Sequence, residues 1–69
     1  MKLSARNILH GKVLHVTRGA VNDEIVIEIA PGVQVTSIIT HQSCVRLGLE
    51  PGKDAYAVIK ASDVMVAIE

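Results

Sequence analysis

Ser4 and Arg6 stand two residues apart near the start of the chain, and Lys60 and Ser62 stand two apart near its end. In extended backbone such residues point the same way, so each pair sets a hydroxyl beside a cationic group on one face. Cations and hydroxyls are hydrogen-bond donors suited to an oxyanion, and the two ends are read together as parts of one anion site. An Arg or Lys at a strand end is ordinarily a solvated charge, and a serine there ordinarily bonds to local backbone. The spacing alone therefore suggests a site without establishing it.

Other chemistries find less support. His10, His15 and His41 never recur with Cys44 at the spacing of a structural zinc site, so no metal ligands are expected. No Cys–His or Ser–His arrangement stands in a strained elbow, and no acid pair is boxed by apolar residues, so an enzyme is not expected. Seven basic and seven acidic side chains leave no net charge. Any anion site must therefore be local, and a general grip on nucleic acid, which a basic total would announce, is excluded. Tyr56 is the only aromatic ring among Phe, Tyr and Trp, too few for the stacking platform of a single-strand binder.

The positions of these donors depend on the fold. Sixty-nine residues make a single domain, 1–69, in which folding hides only about 60% of the unfolded surface. Such a chain needs help, and one cysteine offers no disulfide; a lone thiol also fits a reducing compartment. Oligomerisation is the remaining route. Hydrophobic residues make up 49% of the chain, almost all small aliphatics. The N-terminus turns polar at Ser4 and no apolar run approaches the roughly 18 residues of a span, so a cytoplasmic protein is expected.

The chain reads as strands broken by turns. Residues 7–18 alternate, with Leu9, Gly11, Val13 and His15 on one face and Ile8, His10, Lys12, Leu14 and Val16 on the other; Gly11 marks an expected bend or bulge. A reversal is expected over 18–22, with Gly19 and Asn22 best able to take positive φ. Residues 24–29 put three isoleucines on one face and two glutamates on the other, a half-buried strand. A third strand follows over 33–40. A short helix is expected over 41–47, with Thr40 capping its start, Gly48 ending it, and Cys44 and Leu47 plugging an open end of the sheet. A turn at 50–53, a fourth strand over 55–60 and a fifth over 64–68 complete an all-β, five-stranded OB-like β-barrel with one short helix between strands 3 and 4. Ile8, Leu14, Val16, Val26 and Ile38 would lie on its outer face, more apolar surface than a monomer usually shows.

In this order and spacing, Ser4-Ala5-Arg6-Asn7 with Leu9-His10-Gly11-Lys12-Val13, Gly19-Ala20-Val21-Asn22, Thr36-Ser37-Ile38-Ile39-Thr40, Leu47-Gly48-Leu49 with Pro51-Gly52, and Lys60-Ala61-Ser62-Asp63-Val64 resemble the molbindins. These are the Mop domains, small oxyanion-binding relatives of the TOBE module, and the resemblance covers essentially the whole chain. It implies an OB-type barrel, a hexamer built as a trimer of dimers, and molybdate or tungstate bound at subunit interfaces for intracellular storage. It assigns the oxyanion to Ser4, Ala5 and Arg6 of one subunit and Lys60, Ala61 and Ser62 of another, the two alanines offering backbone amides. Binding of a molybdenum-pterin cofactor is the alternative the family's naming implies. A second kind of site near a threefold axis is also implied, with the 19–22 loop and the 40–43 helix start both offering amides.

Overall fold

Strict alternation along the second strand builds the core. Ile25 and Ile27 are buried and Ile29 half-buried, while Glu24 lies outside, so the sheet has one apolar and one wet face. A computed structural model describes residues 1–69 as β1 (Asn7–Arg18), β2 (Asn22–Ala30), β3 (Val33–Thr40), α1 (His41–Leu47), β4 (Asp54–Ile59) and a 3-10 turn at Ala61–Asp63. The strands pair antiparallel in the order β3-β2-β1-β4 and curl into a half-barrel around Val13, Ile25, Ile27, Cys44 and Ala57.

β1 serves two neighbours. Its first half pairs with β4, from Asn7↔Ile59 to Lys12↔Asp54, and its second half pairs with β2, from Lys12↔Glu28 to Arg18↔Asp23. A strand shared in this way must bend, and the bend has two devices. Gly11 is buried where a Cβ would lie 2.3 Å from the Glu28 carbonyl oxygen, so only glycine lets the two backbones approach. Two residues later the register slips between Val13 and His15, leaving Leu14 as the extra residue of a β-bulge. Of the bend or bulge expected at Gly11, the bend is there and the bulge lies three residues on, at Leu14. It also reverses the phase of alternation: Val16 packs against the core and His15 faces out, the opposite of the uninterrupted pattern.

The remaining elements follow their local signals. At the β1–β2 reversal neither Gly19 nor Asn22 takes the expected positive φ; Gly19 is there because its N–H bonds the Asn22 oxygen at 2.9 Å, where a Cβ would sit 2.4 Å from that atom. Thr40 caps α1, its Oγ1 accepting the Ser43 N–H at 3.1 Å, and left-handed Gly48 ends it. Cys44 plugs the half-barrel as expected, but Leu47 stays 62% exposed. The turn before β4 is tied to β1 by Gly52 N–H to Val13 O at 2.8 Å and Val13 N–H to Lys53 O at 2.9 Å.

The expected fifth strand over 64–68 is absent from the sheet, which has four strands and is not a closed barrel. The 3-10 turn sends the chain outward rather than back along β4, leaving Met65, Val66 and Ile68 at 94%, 88% and 94% exposure. A gap remains between the two edge strands, β3 and β4. It is a cleft of about 350 Å³ lined by nine hydrophobic residues of eleven, among them Ile25, Ile39, Leu47, Leu49 and Val58.

Gly11→Ala tests the bend. The obstacle is backbone, so relief must come from moving a strand, and overpacking of this kind costs about 1–3 kcal/mol. The expected outcome is a loss of that size in the unfolding free energy obtained by urea titration; an unchanged value would show that β1 and β2 tolerate the extra carbon.

Candidate functional site

The two ends of the chain meet because of the β1–β4 register. Asn7 pairs with Ile59 at the limit of the ladder, and the Asn7 Nδ2 donates to the Ile59 carbonyl at 3.3 Å, pinning that corner. Arg6 directly precedes the pair and Lys60 directly follows it, so the ladder delivers both cations to one corner of one chain. Ser4 and Ala5 lead into it. Ala61 and Ser62 leave it in the 3-10 turn, where the first internal bond is Asp63 N–H to Lys60 O at 2.9 Å. In such a turn the amides before the first bond have no partner within the turn, which leaves Ala61 and Ser62 as donors.

Ser4, Arg6, Lys60, Ala61 and Ser62 are exposed and Ala5 is half-buried. Neither Arg6 nor Lys60 forms an ion pair; the chain's salt bridges are His10 with Asp54, Lys12 with Asp54, and His41 with Asp23. The corner thus holds two cations unpaired with carboxylate, two hydroxyls and short-chain backbone amides. It is also open: five of the six residues are exposed, and none of the six lines the apolar cleft between β3 and β4. A tetrahedral dianion can be held by such donors through charge-assisted hydrogen bonds without any metal–protein bond. No group of three His, Cys, Asp or Glu side chains is placed to hold a metal cation.

The family model described as TOBE domain matches residues 3–66. Molybdenum-pterin-binding protein 3 of Clostridium pasteurianum is 52% identical over 66 residues, 96% of this chain and 97% of that protein. Among solved structures, a molybdate binding protein from Sporomusa ovata superposes with a TM-score of 0.91 at 34% identity, over 99% of this chain and 100% of that one. The cytoplasmic molybdate-binding protein ModG, in a form with molybdate bound, gives a TM-score of 0.90 at 48% identity, over 94% of this chain and 46% of that one.

A second polar cluster escaped the sequence reading. Asp23 is fully buried at the start of β2; its Oδ2 meets the His41 Nδ1 at 2.9 Å and its Oδ1 accepts the Gly19 N–H at 3.3 Å. The signal was present, because the inward phase of Ile25, Ile27 and Ile29 extends back to Asp23, and a carboxylate pointing into a core demands partners. His41 opens α1 and Cys44 follows one turn later on the same side. The His41 hydrogen bond holds the Asp23 carboxyl below the usual carboxylate range despite desolvation, helped by the Gly19 amide and the Cys44 thiol. Burial pushes the Cys44 thiol up, and the neighbouring Asp23 pushes it further.

These directions set expected pH behaviour. A depressed carboxyl contributes stability that is present above its unfolded value, near 3.8, and lost as pH falls through the lower folded value. Asp23→Asn should therefore flatten the acid limb of Tm against pH below about pH 3.8, where the wild type is expected to lose this contribution. Equal slopes in wild type and variant would remove Asp23 from the acid transition. Cys44, kept as a buried thiol, should resist alkylation at neutral pH until the chain is unfolded; prompt modification of the native protein would contradict that.

Proposed function

The chain belongs to the TOBE-domain family, among its molybdenum-pterin-binding (Mop) proteins, and on that premise we propose that it binds molybdate, and tungstate with it, at subunit interfaces of a homo-oligomer and serves as a cytoplasmic molybdenum store. The observation that supports the reading is the Asn7↔Ile59 register, which puts Arg6 and Lys60 at the same end of the β1–β4 ladder, with Ser4 and Ala5 leading into it and Ala61 and Ser62 leaving it. Molybdate at neutral pH is a tetrahedral dianion. Replacing its hydration takes more donors than either segment has, and the open corner calls for a second subunit to cover it. Two such corners facing each other across an interface would let Arg6 of one subunit and Lys60 of its neighbour share one oxyanion, with hydroxyls and amides completing the set. The same donors fit tungstate, which has the same charge and shape.

Assembly has its own support. Seven of 69 residues are buried, the apolar cleft lies open between the edges of β3 and β4, and an apolar tail leaves the sheet without a partner. The tail of a second copy, residues 64–68, fits that cleft in kind: it is aliphatic, exposed and, taken as a strand, able to pair with an exposed edge. A fifth strand so placed closes each half-barrel into the OB-like form, and dimers of this kind build the hexamer.

Calorimetric titration of molybdate into wild type, Arg6→Ala, Lys60→Ala and the double variant tests the site, with sedimentation as a control on assembly. Charged hydrogen bonds contribute about 1.5–3 kcal/mol each, so either single change should weaken binding roughly tenfold to a hundredfold, with coupling in the double variant. Two single variants that bind as wild type does would overturn the assignment. Sedimentation should show an oligomer at micromolar concentration, and a stable folded monomer there would sink the interface reading. The similarity to molybdenum-pterin-binding protein 3 of Clostridium pasteurianum favours a second reading, binding of a molybdenum-pterin. Pterin recovered in equal amount with molybdenum from desalted protein would put that reading first.

A further inference from the structure

Helix α1 is held in place by very little. It has seven residues, of which only Cys44 is buried, while Val45 and Leu47 stand 61% and 62% exposed. A helix this short does not persist alone, so its attitude depends on its tethers. Three lie at its start: the Thr40 cap, the His41 N–H to Val21 O bond at 2.9 Å, and the His41 imidazole on the buried Asp23. The last of these reaches deepest. Asp23 binds the tip of the β1–β2 hairpin through Gly19 with one oxygen and the helix through His41 with the other, so one carboxylate joins both elements to the core. At its other end the helix delivers Leu47, and just beyond it Leu49, to the wall of the apolar cleft between β3 and β4.

We propose that Asp23 is a positioning residue for self-association: through His41 it holds α1 in the attitude that keeps Leu47 and Leu49 on the cleft wall where the tail of a second copy docks. This inference rests on the assembly reading given above. Asp23 and His41 touch neither the cleft nor the oxyanion corner and act only through the helix. The charged and titratable groups nearby are Arg18, which pairs with Asp23 across β1 and β2, and Cys44 on α1; β3 contributes none, with Ile39 opposite Asp23. Because the latch is a pair, losing either partner should have the same effect as losing both.

The test measures self-association by sedimentation for wild type, Asp23→Ala, His41→Ala and the double variant, with amide exchange as a local readout. Each single variant should associate about tenfold more weakly, and the double variant no more weakly than the worse single one. Exchange should quicken over residues 41–49 while the β1–β2 ladder keeps its protection. Asp23→Asn keeps the side-chain volume and one acceptor; it supplies a folded protein for the same comparison if the alanine variants do not fold. Val16→Ala, a core truncation away from the cleft, is the control for general destabilisation. Variants that associate as tightly as wild type overturn the inference, as does Val16→Ala weakening association equally at matched Tm loss. A wild type that sediments as a monomer overturns the assembly reading itself, and the coupling with it, whatever the variants do.

Discussion

Everything in this chain hangs on the contact between Gly11 and the Glu28 carbonyl. With any Cβ at position 11 the backbones of β1 and β2 could not close to the observed distance, and β1 could not run from one neighbour to the next within a single strand. The bulge at Leu14 adds the twist that finishes the bend. Because β1 bends, its first half is free of β2 and takes β4 as its partner. That pairing is what brings Arg6 and Lys60 to one end of the ladder, fifty-odd positions apart in sequence. The corner proposed for the anion is thus a consequence of how one strand is shared between two.

Sharing one strand also leaves the sheet open. A four-stranded sheet of this curvature has two edges, and here both border one apolar cleft. Exposed edges invite pairing with another chain, and apolar walls make that pairing favourable by removing hydrocarbon from water at about 25 cal/mol per Å². For a chain of this size the intramolecular core alone is marginal. On the proposed reading, association would supply the missing burial, at the cost of tying folding stability to protomer concentration.

Local signals were legible wherever one residue type answers to one geometric need. The isoleucines of β2, the Thr40 cap, the Gly48 stop and the β4 span all stand where alternation and capping place them. What escaped needed knowledge of a neighbour. Gly11 and Gly19 are required by close approach and not by positive φ, and only the opposing carbonyl reveals that. The Leu14 bulge exchanges the faces of His15 and Val16 because β2 offers one residue fewer over that stretch, which β1 alone does not show. The inward phase of Asp23 is legible in the β2 alternation, but the partner that satisfies it, His41, lies on a different element eighteen residues on. Residues 64–68 have the composition of a strand but no edge within their own chain, so composition alone could not decide their pairing. The corner residues were singled out by type and by a spacing that assumed extended backbone, whereas Ala61–Asp63 form a 3-10 turn and residues 4–6 precede β1; only the β1–β4 register brings Arg6 and Lys60 to one end of the ladder.

On the proposed reading, the oxyanion corner and the docking tail are two parts of one covalent run. Ser62 is separated from Val64 only by Asp63, and the 3-10 turn that aims the Ala61 and Ser62 amides also sets the direction in which residues 64–68 leave the sheet. A ligand that holds residues 60–62 in one conformation therefore restricts the tail before it reaches a second copy, lowering the ordering entropy that association must overcome. By reciprocity, a tail already seated in a neighbour's cleft holds the donors in place and favours the ligand by the same free energy. Coupling of this kind needs no conformational signal across the barrel. It follows from placing the donors at the root of the segment that joins the subunits.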